Sequence, residues 1–159
     1  MTRAVEGIEG DLYVTRWSRG GIKSKYKNYL DKNLTLVRQV DDQGNEDRVP
    51  KQKFLDFPLF VGKKWDFSFY ARPAGDPTLV ERKFYNDMEV VGYEEVVVPA
   101  GKFKAFKIKQ TQTMMGGPRI WEGIRYHWYS PEVGFFIKSK SETVTRGWRD
   151  YGLISFELK

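Results

Sequence analysis

Several features that often reveal a protein's function are missing from this sequence of 159 residues. It contains no cysteine, which excludes disulfide bonds, thiolate nucleophiles and cysteine-ligated zinc. It has no apolar run of about 18 residues, so no transmembrane helix is predicted. The opening residues, MTRAVEGIEGDLYV, lack the apolar core of a secretory signal, so we expect no signal peptide in this chain.

Residue patterns that support catalysis are also scarce. The only histidine, His127, lies out of phase with the apolar positions around it, which is typical of a surface or hydrogen-bonded residue. No Gly-x-Ser-x-Gly elbow and no phosphate-binding glycine motif occur. The acidic run 41–45 begins like a calcium loop, but Gln52 stands where the bidentate glutamate belongs, so a hairpin turn is predicted there. The sequence predicts a non-enzymatic protein with no catalytic residue, no metal site and no cofactor.

Alternation of apolar and polar residues is the pattern that is present in place of helical spacing. The residues Trp65, Phe67 and Phe69 share one parity, and so do Ile120, Ile124, Tyr126 and Trp128. Each run is typical of a strand with one buried face, and turn residues separate the runs. The predicted fold is all-β: a single domain over residues 1–159, forming an antiparallel meander. We expect an open half-barrel or barrel of about nine to ten strands with little helix.

The stretch GYEEVVVPAGKF, residues 92–103, predicts a tight hairpin. Pro99 lacks a backbone donor and ends the first strand, and Gly101 supplies the positive φ that a tight turn needs. Phe103 and Ala105 are in one phase, whereas Phe106 and Ile108 are in the other. This change of phase predicts a β-bulge near Ala105, and the long preceding run, about residues 78–98, predicts a bend or bulge near residues 86–87.

Charge leaves the choice of partner open. The net charge is +6 and the pI is about 9.4, but the basic residues are scattered through alternating segments. Such scatter is typical of a solvated surface, and it also permits contact with nucleic acid, anionic lipid or an acidic partner.

Aromatic residues provide the more specific pattern, with five tryptophans and nine tyrosines. On the second face of the strand near residue 125, Trp121, Arg125, His127 and Tyr129 form an aromatic and basic stripe. Three interpretations remain open: a buried or subunit contact, a surface for an apolar or aromatic ligand, or a platform for nucleic-acid bases. The residues predicted to line an apolar ligand groove or to pack in the core are Trp65, Phe67, Trp121, Tyr126 and Trp128.

Three blocks of sequence carry a resemblance to a known family. They are residues 57–65 (FPLFVGKKW), residues 91–108 (VGYEEVVVPAGKFKAFKI) and the run WYSPEVG at 128–134, which leads into Lys138. In this order and spacing they resemble bacterial exported proteins of unknown function that are built as lipoprotein-carrier-like curved β-sheets. The resemblance implies an all-β half-barrel and a periplasmic or cell-envelope location. It implies no catalytic residues, because the family has no established activity.

These observations favour a non-enzymatic binding or accessory domain of the envelope type, with an apolar groove for a lipid or other hydrophobic small molecule. The alternative is an interaction subunit of a larger membrane-associated assembly, docked on a protein partner or a bilayer surface. Binding of single-stranded nucleic acid ranks below both. A hydrolase that uses His127 with a carboxylate ranks last.

Overall fold

The computed structural model describes residues 2–19, 21–47, 51–71, 82–116, 120–142 and 150–152. The chain divides into two compact units, Met1–Phe57 and Pro58–Lys159, which we describe separately. The single domain over residues 1–159 stays a prediction. Within the described residues every paired strand is antiparallel and no helix occurs, which confirms the predicted all-β meander. Nine described strands have six residues or more, and two have only two residues.

The first unit is a five-stranded sheet in the order β1-β2-β3-β4-β5. Its strands are β1 (Thr2–Glu9), β2 (Leu12–Arg19), β3 (Ile22–Leu30), β4 (Leu36–Asp41) and β5 (Glu46–Asp47). A small apolar core on this sheet contains Val14, Tyr29 and Val40 from three neighbouring strands. The alternation of apolar residues along each strand places these side chains on one face.

The predicted hairpin turn at residues 41–45 is confirmed. Gly44 has a φ of 87°, which is the left-handed conformation that glycine adopts without strain. The Asp41 carboxylate accepts hydrogen bonds from the backbone N–H groups of Gln43 and Asn45, at 3.0 and 2.8 Å. The hydrogen bond from the Asn45 side chain has the largest effect on the pKa of Asp41 and lowers it below its usual value. The hydrogen bond from the Asn45 backbone lowers it further. In this run the Asp41 carboxylate therefore stabilises the turn by bonding to the backbone of the turn itself.

The second unit is a six-stranded sheet in the order β11-β10-β9-β8-β7-β6. Its strands are β6 (Lys64–Ala71), β7 (Arg82–Val98), β8 (Gly101–Met115), β9 (Trp121–Ser130), β10 (Phe135–Ser141) and β11 (Tyr151–Gly152). Among the described strands neither sheet closes on itself, so the open form of the predicted architecture is present.

The long hairpin β7–β8 forms the centre of the second sheet. Its turn is Pro99–Ala100, and Gly101 follows with a φ of 136°, as the sequence predicts. The predicted β-bulge near Ala105 is wrong in position, because Ala105 pairs in continuous register with Glu94. The register shifts between Val90 and Gly92 instead, so Val91 is the extra residue. The bend or bulge expected near residues 86–87 is not a bulge at that position, since both residues pair in regular register with β8.

The change of phase along β8 has another cause, namely a change in which face of the sheet is buried. Near the turn the buried residues are Phe103 and Ala105, and farther along the strand they are Ile108, Gln110 and Gln112. Because alternate side chains point to opposite faces, the two sets lie on opposite sides of one strand. The first set belongs to an apolar core. Its members are Val96, Val98, Phe103, Ala105, Trp128 and Ile137.

Candidate ligand-binding face

Strand register assigns the side chains of the second sheet to two faces. On one face Asn86 of β7 pairs with Gln112 of β8, and Gln110 lies two residues along from Gln112. We call this the amide face. The opposite face carries Lys64, Lys107, Lys109 and Lys138, and we call it the lysine face. The apolar core described above lies at the β7–β8 turn end of the lysine face.

The structure divides the five predicted ligand residues between these faces. Trp65 and Phe67 of β6 and Trp121 of β9 lie on the amide face, where all three are half-buried. Tyr126 and Trp128 lie on the lysine face. The five residues therefore do not line one surface of this sheet, although three of them share a face.

Trp128 is held in the apolar core. Its ring is buried beside Val96 and Ile137. Its indole Nε1 donates a hydrogen bond to Glu94 Oε1 at 2.7 Å. The ammonium groups of Lys107 and Lys138 lie 5.5 and 5.0 Å from the ring centroid, which are cation–π distances. These contacts make Trp128 an anchor of the fold.

Tyr126 lies next to Trp128 on the lysine face, and their ring centroids are 6.2 Å apart. Its hydroxyl donates a hydrogen bond to Glu142 Oε2 at 3.2 Å. Partial burial, followed by the nearby Glu142 carboxylate, raises the pKa of Tyr126. Ile120, which shares its parity, is 69% exposed. The face of β9 that was expected to be apolar and buried is therefore buried at its Trp128 end and exposed at its Ile120 end.

A row of apolar side chains crosses four strands of the amide face. The row is Phe69, Phe84, Met114 and Trp121, one residue from each of β6, β7, β8 and β9. The rings of Phe69 and Phe84 stack with centroids 5.1 Å apart, and Phe67 stacks on Phe69 at 6.3 Å. All four side chains are half-buried, so each keeps part of its surface accessible.

Buried amides, which were not predicted from the sequence, form the next rows of the same face. Asn86 Oδ1 accepts hydrogen bonds from Gln110 Nε2 at 2.8 Å and from Gln112 Nε2 at 2.9 Å. His127 Nε2 lies 2.7 Å from Gln110 Oε1. We call Asn86, Gln110, Gln112 and His127 the amide cluster. The alternation pattern of the sequence does indicate their burial. Gln110 and Gln112 are in phase with the apolar Ile108 and out of phase with Lys107 and Lys109.

His127 is the hydrogen-bonded residue that the sequence analysis expected, but it is buried rather than on the surface. Burial, with a smaller effect from the Arg125 charge, lowers its pKa to about 3. The imidazole is therefore neutral at physiological pH. The second ring nitrogen, Nδ1, lies 3.4 Å from Ser139 Oγ. Both ring nitrogens are thus engaged with neighbouring side chains.

The stripe of Trp121, Arg125, His127 and Tyr129 lies on the amide face as predicted. His127 and Tyr129 are buried, and Trp121 and Arg125 are half-buried. One end of the stripe therefore belongs to the packed interior of the sheet. The other end, together with the β6 aromatics, remains a candidate contact surface.

The lysine face carries a groove of a different character. Its volume is about 410 Å³, and its lining residues are Lys64, Trp65, Asp66, Asp87, Met88, Glu89, Lys109 and Thr111. The Lys64 ammonium lies 3.5 Å from a Glu89 carboxylate oxygen. Trp65 is the predicted ligand residue that contributes to this groove, but most of its lining is charged, with both signs present, which does not suit an apolar ligand. Among the described residues no three histidine, aspartate or glutamate side chains converge as a metal site.

The fold and these faces define an all-β protein whose second sheet presents aromatic side chains around buried amides. A family model described as DUF3108-like, which denotes a family of unknown function, matches residues 80–145. The matched segment contains the second and third of the sequence blocks, at 91–108 and 128–134, and excludes the first at 57–65. No curated protein and no solved structure matches the chain significantly. In the part of the chain that the structure describes, there is no helix long and apolar enough to span a membrane.

Proposed function

We propose that this protein is a non-enzymatic binding domain whose second sheet holds an apolar or aromatic small molecule on the amide face. One observation carries the proposal: the row of half-buried aromatic and apolar side chains that begins on β6 and reaches Trp121. Small-molecule sites are mostly apolar, with a few polar groups that fix orientation. The amide face has that composition, and the charged groove of the lysine face does not.

The strand β6 supports this assignment because it is an edge strand among the described strands. Its amide-face residues Trp65, Phe67 and Phe69 are half-buried, while its opposite-face residues Asp66, Ser68 and Tyr70 are exposed. A strand that only closed the sheet would need no such run of large rings at its border. Aromatic rings at a border offer a large contact area at low cost in side-chain entropy.

Titration with the neutral hydrophobic probe N-phenylnaphthylamine tests the proposal. We expect saturable binding, measured by the rise in probe fluorescence. The variant Phe67→Ala removes a ring from the amide face and is expected to weaken binding about tenfold, the loss for a contact residue of moderate importance. Tyr70→Ala is the matched control on the same strand, because Tyr70 is 55% exposed on the lysine face. It is expected to bind like the unmodified protein.

Two results would contradict the proposal. One is the absence of saturable probe binding by the folded protein. The other is an equal loss of binding in Phe67→Ala and Tyr70→Ala, which would mean that the amide face has no special part. A periplasmic or cell-envelope location is a further part of the proposal, supported by the resemblance of blocks 91–108 and 128–134 to exported proteins.

One observation favours the alternative function, docking on an anionic bilayer. Phe60 and Val61 are 57% and 56% exposed, side by side in the turn that precedes β6. The turn is fixed by a hydrogen bond from Lys63 N to Phe60 O at 3.1 Å and one from Gly62 N to Val90 O at 2.8 Å. Lys63 and Lys64 follow after Gly62, and apolar tips near basic residues are typical of interfacial anchors.

Sedimentation with vesicles tests the bilayer alternative. Binding to anionic vesicles and not to neutral ones, lost in a Phe60→Ser, Val61→Ser double variant, is the expected result for an anchor. Val97→Ser is the control, because Val97 is 65% exposed on a strand remote in sequence from this turn. Equal sedimentation of both variants would exclude the anchor.

A further inference from the structure

The amide cluster has a fixed hydrogen-bond direction, and that direction begins at Arg125. A guanidinium group only donates hydrogen bonds. Arg125 Nε donates to Ser139 Oγ at 2.6 Å. Because Ser139 Oγ accepts from Arg125, we assign its single proton to the contact with His127 Nδ1 at 3.4 Å. Because the imidazole is neutral, its proton is placed on Nε2.

The same direction continues from His127 into β8 and β7. A protonated Nε2 donates to an oxygen, so the Gln110 atom 2.7 Å away is Oε1. Gln110 therefore turns its Nε2 toward Asn86 and donates a hydrogen bond to Asn86 Oδ1, with the two atoms 2.8 Å apart. Gln112 Nε2 donates to the same oxygen at 2.9 Å. Both β8 amides thus meet the oxygen end of Asn86.

The nitrogen end of Asn86 is consequently turned away from β8. Asn86 is 1% exposed, and no described residue accepts a hydrogen bond from Asn86 Nδ2. Apart from the two β8 glutamines, its neighbours on the amide face are apolar: Phe67 opposite on β6, and Phe84 and Met88 two residues away on β7. A buried amide donor without an acceptor is unfavourable, and native structures rarely leave one unless another group completes it.

We propose that Asn86 Nδ2 is the polar recognition point of this face, that it is uncovered when the half-buried rings of Phe67 and Phe84 move aside, and that the natural ligand offers it a neutral carbonyl oxygen on an apolar or aromatic body. This inference rests on the proposed function and names the ligand class. The aromatic row supplies the apolar contacts, and Asn86 fixes the position of one oxygen. A carboxylate is a poorer fit, because a buried charge needs more than a single amide donor to offset its desolvation.

Two matched competitors test the inference, para-butylacetophenone and para-butylethylbenzene. They share one skeleton and differ only in a carbonyl that replaces a methylene. Each is titrated against bound N-phenylnaphthylamine. We expect the ketone to displace the probe at about tenfold lower concentration than the hydrocarbon, the effect of one net hydrogen bond.

The variant Asn86→Leu removes the donor and is expected to abolish the preference for the ketone while binding of the hydrocarbon persists. If this variant does not fold, as judged by circular dichroism, Asn86→Val replaces it. Asp87→Leu is the control, because Asp87 is the next residue but is exposed on the lysine face. It is expected to keep the preference. A general loss of structure would affect both competitors equally, whereas loss of the donor changes only their ratio.

The outcomes separate the two proposals. Equal affinities of the two competitors for the unmodified protein, with probe binding intact, overturn the role of Asn86 and leave the binding function standing. A ketone preference that survives in the folded Asn86 variant also overturns it. Absence of probe binding overturns the proposed function and this inference together.

Discussion

The two halves of strand β8 are buried in different ways. Near the β7–β8 turn, Phe103 and Ala105 enter an apolar core on the lysine face. Beyond Ile108, Gln110 and Gln112 are buried on the amide face and bonded to other side chains. The first half is stabilised by packing, which is not directional and tolerates change when volume is kept. The second half depends on complete hydrogen bonding, where the loss of one partner is costly.

This difference shows how one sheet combines stability with specificity. An apolar core stabilises the hairpin but distinguishes poorly between similar arrangements. Buried amides require particular partners at particular positions, so they select one arrangement of β7, β8 and β9. Substitutions in the two halves are therefore expected to have different sizes and different dependence on pH.

The largest effect is expected in the apolar half. Phe103 is 5% exposed, and Phe103→Ala is expected to lower the free energy of unfolding by about 3–5 kcal/mol through lost burial and a residual cavity. Urea denaturation followed by circular dichroism measures this loss. Val97→Ala, at a position of the same hairpin that is 65% exposed, is the control and is expected to change stability by less than about 0.5 kcal/mol. Similar losses in both variants would contradict the assignment of the core.

A smaller effect is expected in the amide half. Gln110→Leu replaces a buried polar side chain by an apolar one, yet we expect a loss of about 1–3 kcal/mol because His127 Nε2 loses its acceptor. The same denaturation experiment measures it. Lys109→Leu, one residue earlier on the lysine face, should stay within about 0.5 kcal/mol. A stabilised Gln110→Leu protein would contradict the view that the stability of this half depends on complete hydrogen bonding.

The smallest effect concerns pH and is confined to the amide half. The folded pKa of His127, about 3, lies below its ordinary value of 6.5, so only the unfolded chain takes up this proton as pH falls. Stability from this residue is therefore complete above about pH 6.5 and is lost progressively as pH falls toward about 3. Between about pH 7 and about pH 5.5 the expected loss is about 1 kcal/mol.

The variant His127→Gln removes this titration and keeps a side-chain amide that donates to Gln110. Stability measured at both pH values should therefore decline less in the variant than in the unmodified protein. Other titrating groups are common to both proteins and cancel in the difference. An identical decline in both would show that His127 is accessible to protons in the folded state.

The sequence predicted most of the fold, because strands with one buried face alternate and turns need special residues. The turns at residues 41–45 and at Pro99–Gly101 follow from backbone chemistry that is local to a few residues. The position of the bulge was beyond local reasoning. The phase change along β8 has two possible causes, an extra residue or a change of buried face, and only the pairing with β7 distinguishes them.

The site was less predictable for a related reason. Tryptophan and phenylalanine suit a core and a ligand surface equally, so Trp128 and Trp65 look alike in sequence although they lie on opposite faces. Glutamine and asparagine in an alternating strand usually face solvent. Burial of Asn86, Gln110 and Gln112 depends on two strands, β7 and β8, that bring their amides within hydrogen-bond distance, and neither strand alone contains that information.

The position of the single histidine also gives this protein a built-in spectroscopic reporter. His127 is the only imidazole in the chain, so its ring protons yield one set of nuclear magnetic resonance signals that needs no assignment by mutagenesis. The ring is connected to Asn86 through one glutamine, so a molecule that engages Asn86 should shift those signals without touching the ring. A library of unlabelled compounds can thus be screened against the unmodified protein by watching one residue.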